Sequence, residues 1–542
     1  MDLKQVDGKI LREMLIMGAE ALAINKERVD SLNVFPVPDG DTGTNMNLTM
    51  GSAINEIEKQ KSDSVKAVAK ALSNGSLMGA RGNSGVILSQ LFRGFSKAIE
   101  DKENVTPVDF AVGLNDGVKT AYKAVLKPVE GTILTVSKFA AKAALLKARD
   151  GGDIIDVMEA CLEEGQKTLD KTPEMLEVLK QANVVDAGGK GLLVIYEGWL
   201  RSLKGEKLDG VSEEIIPEDI RDFEDEHPAN IEDIEHGYCT EFLVQGNNIA
   251  IEKLKEKLNV LGDSLLVVGD EDVVKVHVHT NNPGQALENA ISYGELQGIK
   301  IDNMRAQARD KMVTEQSKPS KPAKDIGIIT VASGKGLSDI FTSMGVDYVI
   351  EGGQTMNPST EDFIKAIERI NAKSVILIPN NSNIILAAQQ AEKISPIPAR
   401  VIPSKTIPQG IASLLNYQAE GAELDEVFGQ MQEAISDVKS GQITYAVRDS
   451  KYDDLEINKG DILGIAEGEI TVLGKGVKEI TLELLEKIVD EESEIITLFY
   501  GQDMKEEESF EIVESIEAKF EDVEVELHYG GQPLYYFLVS VE

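Results

Sequence analysis

Between residues 8 and 204 the apolar positions recur at helical spacing almost without a break, and then the pattern stops. Leu11, Leu15, Ala19, Leu22 and Ala23 set the rhythm of the first segment, close to 3.6 residues per turn. Similar segments are predicted at about 45–60, 64–78, 84–100, 107–126, 131–148, 153–170, 173–182 and 189–203. Such a run can only fold as helices packed on helices, an all-α bundle or barrel of eight or nine segments with short loops. What ends it is residues 205–235, with thirteen acidic residues against Lys207 and Arg221, and with Pro217 and Pro228 inside. A charge run of that kind reads as a solvated linker.

Past the linker the period changes. Tyr238–Val244, Ser264–Gly269, Val273–Thr280 and Gly298–Asp302 read as strands, with helices at Ala250–Leu261 and Gln285–Tyr293. The order β-α-β-β-α-β predicts a small ferredoxin-like α+β domain over 236–312. Residues 313–324, rich in Lys, Ser and Pro, are a second predicted linker. From 325 to 542 strands and helices alternate, which predicts an α/β domain with a mostly parallel sheet. The fold class expected is therefore multidomain: all-α, then small α+β, then α/β.

The net charge of −38 argues against nucleic acid or an anionic membrane as a direct partner. Two cysteines, Cys161 and Cys239, imply no disulfide framework. With no apolar run of about 20 residues, no transmembrane segment is expected. The expectation is a soluble, cytoplasmic protein.

One stretch of the helical region carries chemistry: Asn33-Val34-Phe35-Pro36-Val37-Pro38-Asp39-Gly40-Asp41-Thr42-Gly43-Thr44-Asn45-Met46-Asn47. Two prolines keep the approach extended. Two carboxylates follow at i and i+2, and then a helix begins. Free N–H groups at that helix start face whatever the aspartates hold. Mg²⁺ takes oxygen from one or two carboxylates together with phosphate, so a nucleoside triphosphate with Mg²⁺ is the first reading; an ordinary polar Asp-Gly turn is the other. Three more glycine-bearing helix starts occur at 78–85, 127–132 and 185–191, where amides can approach phosphate closely.

The run Leu32–Met46 together with Gly79–Gly85 resembles the nucleotide domain of the dihydroxyacetone kinase family, DhaL type. The whole chain is similar to the bacterial fatty acid kinase catalytic subunit. That resemblance implies an ATP-binding kinase domain over 8–204 and, over 325–542, an α/β domain that docks a carrier. The implied reaction phosphorylates a fatty acid presented by a separate fatty-acid-binding protein and gives acyl-phosphate for phospholipid synthesis. It implies Asp39 and Asp41 as ligands of two Mg²⁺. Thr42, Thr44, Asn45, Gly82, Asn83 and Ser84 would contact phosphates. Asp186 and Lys190 join the nucleotide-binding set, and Arg81 the catalytic one. The family's further aspartate is replaced by Asn33, an uncharged candidate ligand, while Asp30 sits nine residues before Asp39. With ATP near ~−4 and two carboxylates, two Mg²⁺ leave the site near ~−2 and leave room for an anionic acceptor. The helical region contains no histidine. A carboxylate acceptor, ionised at neutral pH, needs no general base.

His277 and His279 share one face of a predicted strand, and Cys239 belongs to the neighbouring strand on the same face. Those three are a candidate Zn²⁺ set; the other reading is a structural or dimer-forming sheet face, hence an expected homodimer. In the α/β region, 352–359 and 379–383 follow strands, where such folds place ligands. Deleting 325–542 is expected to abolish transfer to carrier-bound fatty acid and leave ATP binding intact. Two competing functions are a glycerone or polyol kinase and a nucleotide-sensing scaffold without turnover.

Overall fold

The computed structural model describes residues 3–33, 40–125, 127–208, 236–246, 249–269, 273–305, 324–353, 356–415, 417, 423–452 and 455–542. Asp39 and the two expected linkers, apart from 205–208 and Lys324, lie outside the described residues. Two compact units are present: residues 1–208 with 323–542, and residues 209–322. No helix among the described residues is long and apolar enough to cross a membrane.

The helical part of the first unit contains α1 (Gly8–Asp30), α2 (Thr42–Glu58), α3 (Val65–Met78), α4 (Gly82–Ile99), α5 (Pro107–Ala124), α6 (Ile133–Arg149), α7 (Ile154–Leu169), the short α8 (Thr172–Met175) and α9 (Glu177–Gln181), and α10 (Ala187–Lys204). Local chemistry sets their ends. Asp7 caps α1 by accepting from Ile10 N, and Thr106 with Asp109 and Asp153 with Asp156 form capping boxes on α5 and α7. Gly205, at φ 69°, ends α10 in the left-handed conformation. The single segment expected at 173–182 is broken at Leu176, whose extended backbone (φ −126°, ψ 113°) separates α8 from α9. Inside the bundle Trp199 packs on Phe92, Phe95, Phe110 and Tyr196, at centroid distances of 5.0–6.3 Å.

The second half of the same unit holds two large sheets and, at Ser450–Tyr452 and Leu455–Ile457, a two-stranded antiparallel ribbon. β5 (Lys324–Ala332), β6 (Tyr348–Glu351), β7 (Ala372–Ile378) and β8 (Ala399–Val401) form a parallel sheet in the order β6-β5-β7-β8. Connecting them are α11 (Lys335–Ser343), α12 (Thr360–Arg369) and α13 (Ile385–Ile394); α14 (Ile407–Leu415) and α15 (Leu424–Ala434) follow. The other sheet joins β9 (Lys439–Tyr445), β10 (Ile462–Ala466), β11 (Glu469–Gly474), β12 (Ile495–Tyr500), β13 (Glu524–Tyr529) and β14 (Phe537–Val541), in the order β11-β10-β9-β14-β12-β13. Only β12 and β13 run parallel in it, so the expectation of a mostly parallel sheet fails for this half. Its hairpin connections are too short for parallel crossovers, which need a dozen or more residues. Helices α16 (Val477–Ile488) and α17 (Glu506–Glu517) pack on one of its faces.

The parallel sheet touches the helical part through a shared apolar core. Ala80 and Val86, at the start of α4, are buried in one cluster with Ile329, Val331, Phe363, Ile367 and Leu377. Arg81 pairs with Ser359 in an isolated antiparallel bridge, and Thr360 N donates to Ala80 O at 3.2 Å.

The second unit is built on β15 (Tyr238–Gln245), β16 (Gly262–Gly269), β17 (Val273–Thr280) and β18 (Glu295–Asn303), with α18 (Ile251–Asn259) and α19 (Pro283–Ile291). The antiparallel order β16-β17-β15-β18 puts the first and third strands at the centre. Phe242, Val244, Val274, Val276 and Val278 face Leu254, Leu258, Ala286 and Ala290 of the helices.

Candidate active site

Four helix starts meet at one end of the bundle. A Cβ placed on Gly85 of α4 would lie 2.3 Å from Thr49 Oγ1 of α2. One on Gly191 of α10 would lie 2.7 Å from Met46 Sδ of α2, and one on Gly188 of α10 3.2 Å from Ile133 Cβ of α6. The glycines let the first turns of α2, α4, α6 and α10 pack together, gathering their free N–H groups and positive dipole ends. Gly82 opens α4 at φ 57°, against Asn45, in a conformation a side chain would strain.

Asp41 sits at this junction as the residue before α2, yet its side chain makes no capping bond. Burial pushes its carboxyl up to about 6; Asp30 adds to that, and hydrogen bonds from Asn45 and Asn357 oppose it. Asp30, at the end of α1, accepts from Thr44 N at 3.0 Å and from Thr44 Oγ1 at 2.8 Å. A half-buried carboxylate beside a second one is a group that a cation would stabilise.

The other flagged residues divide. Asn45 is buried on α2, and Ser84 Oγ donates to Thr42 O at 3.5 Å. Asn83 donates to Asn383 Oδ1 at 3.2 Å, toward the parallel sheet. Arg81 donates through Nη1 to Asn357 O at 2.8 Å and lies 3.4 Å from Asp362. Lys190 is half-buried in the first turn of α10. Asp186 caps that helix, accepting from Gly189 N at 2.6 Å, and burial pushes its carboxyl up to about 6. Asn33 ends near Gly40: a Cβ built there would be 3.7 Å from Asn33 Nδ2.

Sequence reasoning missed Asn357 and Asp362 and underrated Asp30. Asp30 is distant from Asp39 along the chain, and only the return of the loop brings it to α2. Asn357 was visible only as part of a loop after a strand. In the fold it is 2% exposed, and its Nδ2 donates to Asp41 Oδ2 at 2.5 Å. Its Oδ1 is buried with no hydrogen-bond partner among the described residues. Leaving such an acceptor unmatched costs about 1–3 kcal/mol. Turning the amide over would set its oxygen against the Asp41 carboxylate instead.

The parallel sheet reverses its winding between β5 and β7, and a cavity of about 60 Å³ lies at their carboxyl ends, lined by Ser333, Gly353, Asn380, Asn381, Thr406 and Gln532 among others.

In the second unit Cys239, His277 and His279 are all buried, with ligand atoms within 4.8 Å of one another. Register explains the grouping, since Cys239 lies opposite His279 and Glu241 opposite His277. Glu241 Oε1 is 3.0 Å from His277 Nδ1, and Cys239 Sγ is 3.8 Å from the same nitrogen. A thiol, two imidazoles and an adjacent carboxylate are a donor set suited to zinc.

Comparison with known proteins sorts these features. Family models match as a DAK2 domain over 36–201, a FakA-like middle domain of fatty acid kinases over 235–311 and a FakA-like C-terminal domain over 327–542. Protein YloV of Bacillus subtilis (strain 168) is 48% identical over 560 residues, with all of both chains covered. This chain belongs to the FakA-like family of fatty acid kinases. It is a kinase. An uncharacterized protein of Staphylococcus aureus (strain USA300) is 47% identical over 548 residues, again with both chains fully covered. Among solved structures, the Streptococcus pneumoniae Fatty Acid Kinase B3 protein loaded with linoleic acid aligns with 40% of this chain and 99% of its own. At 14% identity and a TM-score of 0.28 that likeness is too loose to argue from.

Proposed function

We propose that this kinase transfers the γ-phosphoryl group of ATP to the carboxylate of a fatty acid held by a separate fatty-acid-binding protein. One observation carries the reading: a half-buried carboxylate, Asp41, at the meeting point of four helix N-termini. The amides of those first turns suit phosphate oxygens, and Asp41 with Asp30 suits the Mg²⁺ that accompanies them. Asp39 completes the proposed metal set. When bound, Mg²⁺ neutralises phosphate charge and holds the triphosphate in line. An oxygen of the acyl carboxylate then attacks Pγ, the bond from Pγ to the β–γ bridging oxygen breaks, and ADP leaves with that electron pair. The products are acyl-phosphate and ADP. No proton moves, which agrees with a helical region that has no histidine. The C-terminal domain is the dock proposed for the fatty-acid-binding protein.

Trapping the product as a hydroxamate, with and without a fatty-acid-binding protein, tests this. Hydroxamate should form only with ATP, Mg²⁺ and the loaded carrier, and Asp41→Asn should reduce it by at least a hundredfold while the helical circular dichroism is retained. Phosphorylation of glycerone in place of fatty acid would overturn the proposal and favour the polyol kinase.

A further inference from the structure

We propose that Asn357, carried by the C-terminal half of the chain, is a working part of the nucleotide–magnesium site of the helical half. The inference rests on the phosphoryl-transfer function proposed above and adds a residue to its site. Three observations converge. The Asn357 side chain reaches Asp41 Oδ2 at 2.5 Å and lies 3.5 Å from Asn45 Oδ1, so it stands among the groups at the start of α2. Its Oδ1 is buried without a hydrogen-bond partner among the described residues, and the flipped amide is no remedy because the carboxylate is there. Its backbone is also fixed to the same helix starts. Asn357 O accepts from Arg81, Ser359 pairs with Arg81, and Thr360 N bonds to Ala80 O.

A buried amide oxygen beside a carboxylate, with no donor of its own, is an oxygen ligand ready for a hard cation or for one water in its shell. Asp41 supplies charge and Asn357 a neutral oxygen, as sites that share a cation between carboxylates and amides do. The position is held from both sides: Ser359 caps α12 with Asp362, and Asp362 pairs with Arg81. The C-terminal half must then be seated on the helical half for magnesium-dependent nucleotide binding. The opposite role for the same contact is a cap that keeps the cation away from Asp41.

Titration of the intact chain with ADP, in Mg²⁺ and separately in EDTA, distinguishes these. Asn357→Ala should weaken binding of ADP with Mg²⁺ at least tenfold and leave binding in EDTA within twofold. Asn357→Asp keeps the oxygen and adds charge: it should lower the melting temperature without metal and show a larger Mg²⁺-induced rise than the natural chain. Circular dichroism of each variant checks its fold, and the aspartate variant tests the idea should the alanine variant misfold. If Asn357→Ala binds ADP with Mg²⁺ as tightly as the natural chain, or more tightly, the proposal is overturned. If the natural chain shows no magnesium-dependent binding at all, the function proposed above has failed instead.

Discussion

At the scale of single residues, charge placement sorts function from architecture. Asp186 and Asp41 are both half-buried, and desolvation pushes both carboxyls up to about 6, yet only Asp186 has an evident structural task, accepting from Gly189 N at the start of α10. A carboxyl whose folded pKa exceeds its unfolded value of about 3.9 stabilises the fold below that value, and this stability is lost as pH rises through about 6. Asn caps a helix as well as Asp and does not titrate. Asp186→Asn should therefore melt higher than the natural chain at pH 7.5, and the gap should shrink to near zero by pH 4. Thermal melts at both values check this; a gap that grew on acidification would reverse the assignment.

At the scale of elements, the helices were legible because amphipathic spacing is local; the caps Asp7, Thr106 and Asp153, which fix the starts of α1, α5 and α7, became evident in the fold. The same holds for the middle unit, where alternation alone places Cys239, His277 and His279 on one face. Strands β9, β10 and β11 were missed because short hairpin strands lack a distinctive period. Asp30 and Asn357 were obscure for another reason, since their roles depend on contacts distant in sequence. The paired strands β15 and β17 make a prediction of their own. Protein purified without chelator should carry one zinc per chain by elemental analysis, and Cys239→Ser should lower it by at least half. A metal-free preparation with full kinase activity would remove zinc from the account.

At the scale of the whole molecule, the seam between the helical part and the parallel sheet combines a joint hydrophobic core with polar contacts of Arg81, Asn83 and Asn357. Ala80 and Val86 lose their apolar neighbours if residues 325–542 are deleted. Uncovering two such side chains costs about 2–3 kcal/mol, which corresponds to a melting point lower by about 5–10 °C for a domain of this size. A fragment ending at residue 208 should melt lower by that amount and bind ADP with Mg²⁺ more weakly, contrary to the expectation that nucleotide binding survives the deletion. A fragment with unchanged melting and affinity would show that the seam is dispensable.

The hydrogen bond from Asn357 to Asp41 spans 316 residues of sequence. A ribosome adding about 5–20 residues per second needs roughly 15–60 s to make that length. Throughout that interval the emerging helices have no partner for their apolar patch at the start of α4. Premature termination within the interval yields a product lacking both the cover of Ala80 and Val86 and the Asn357 amide.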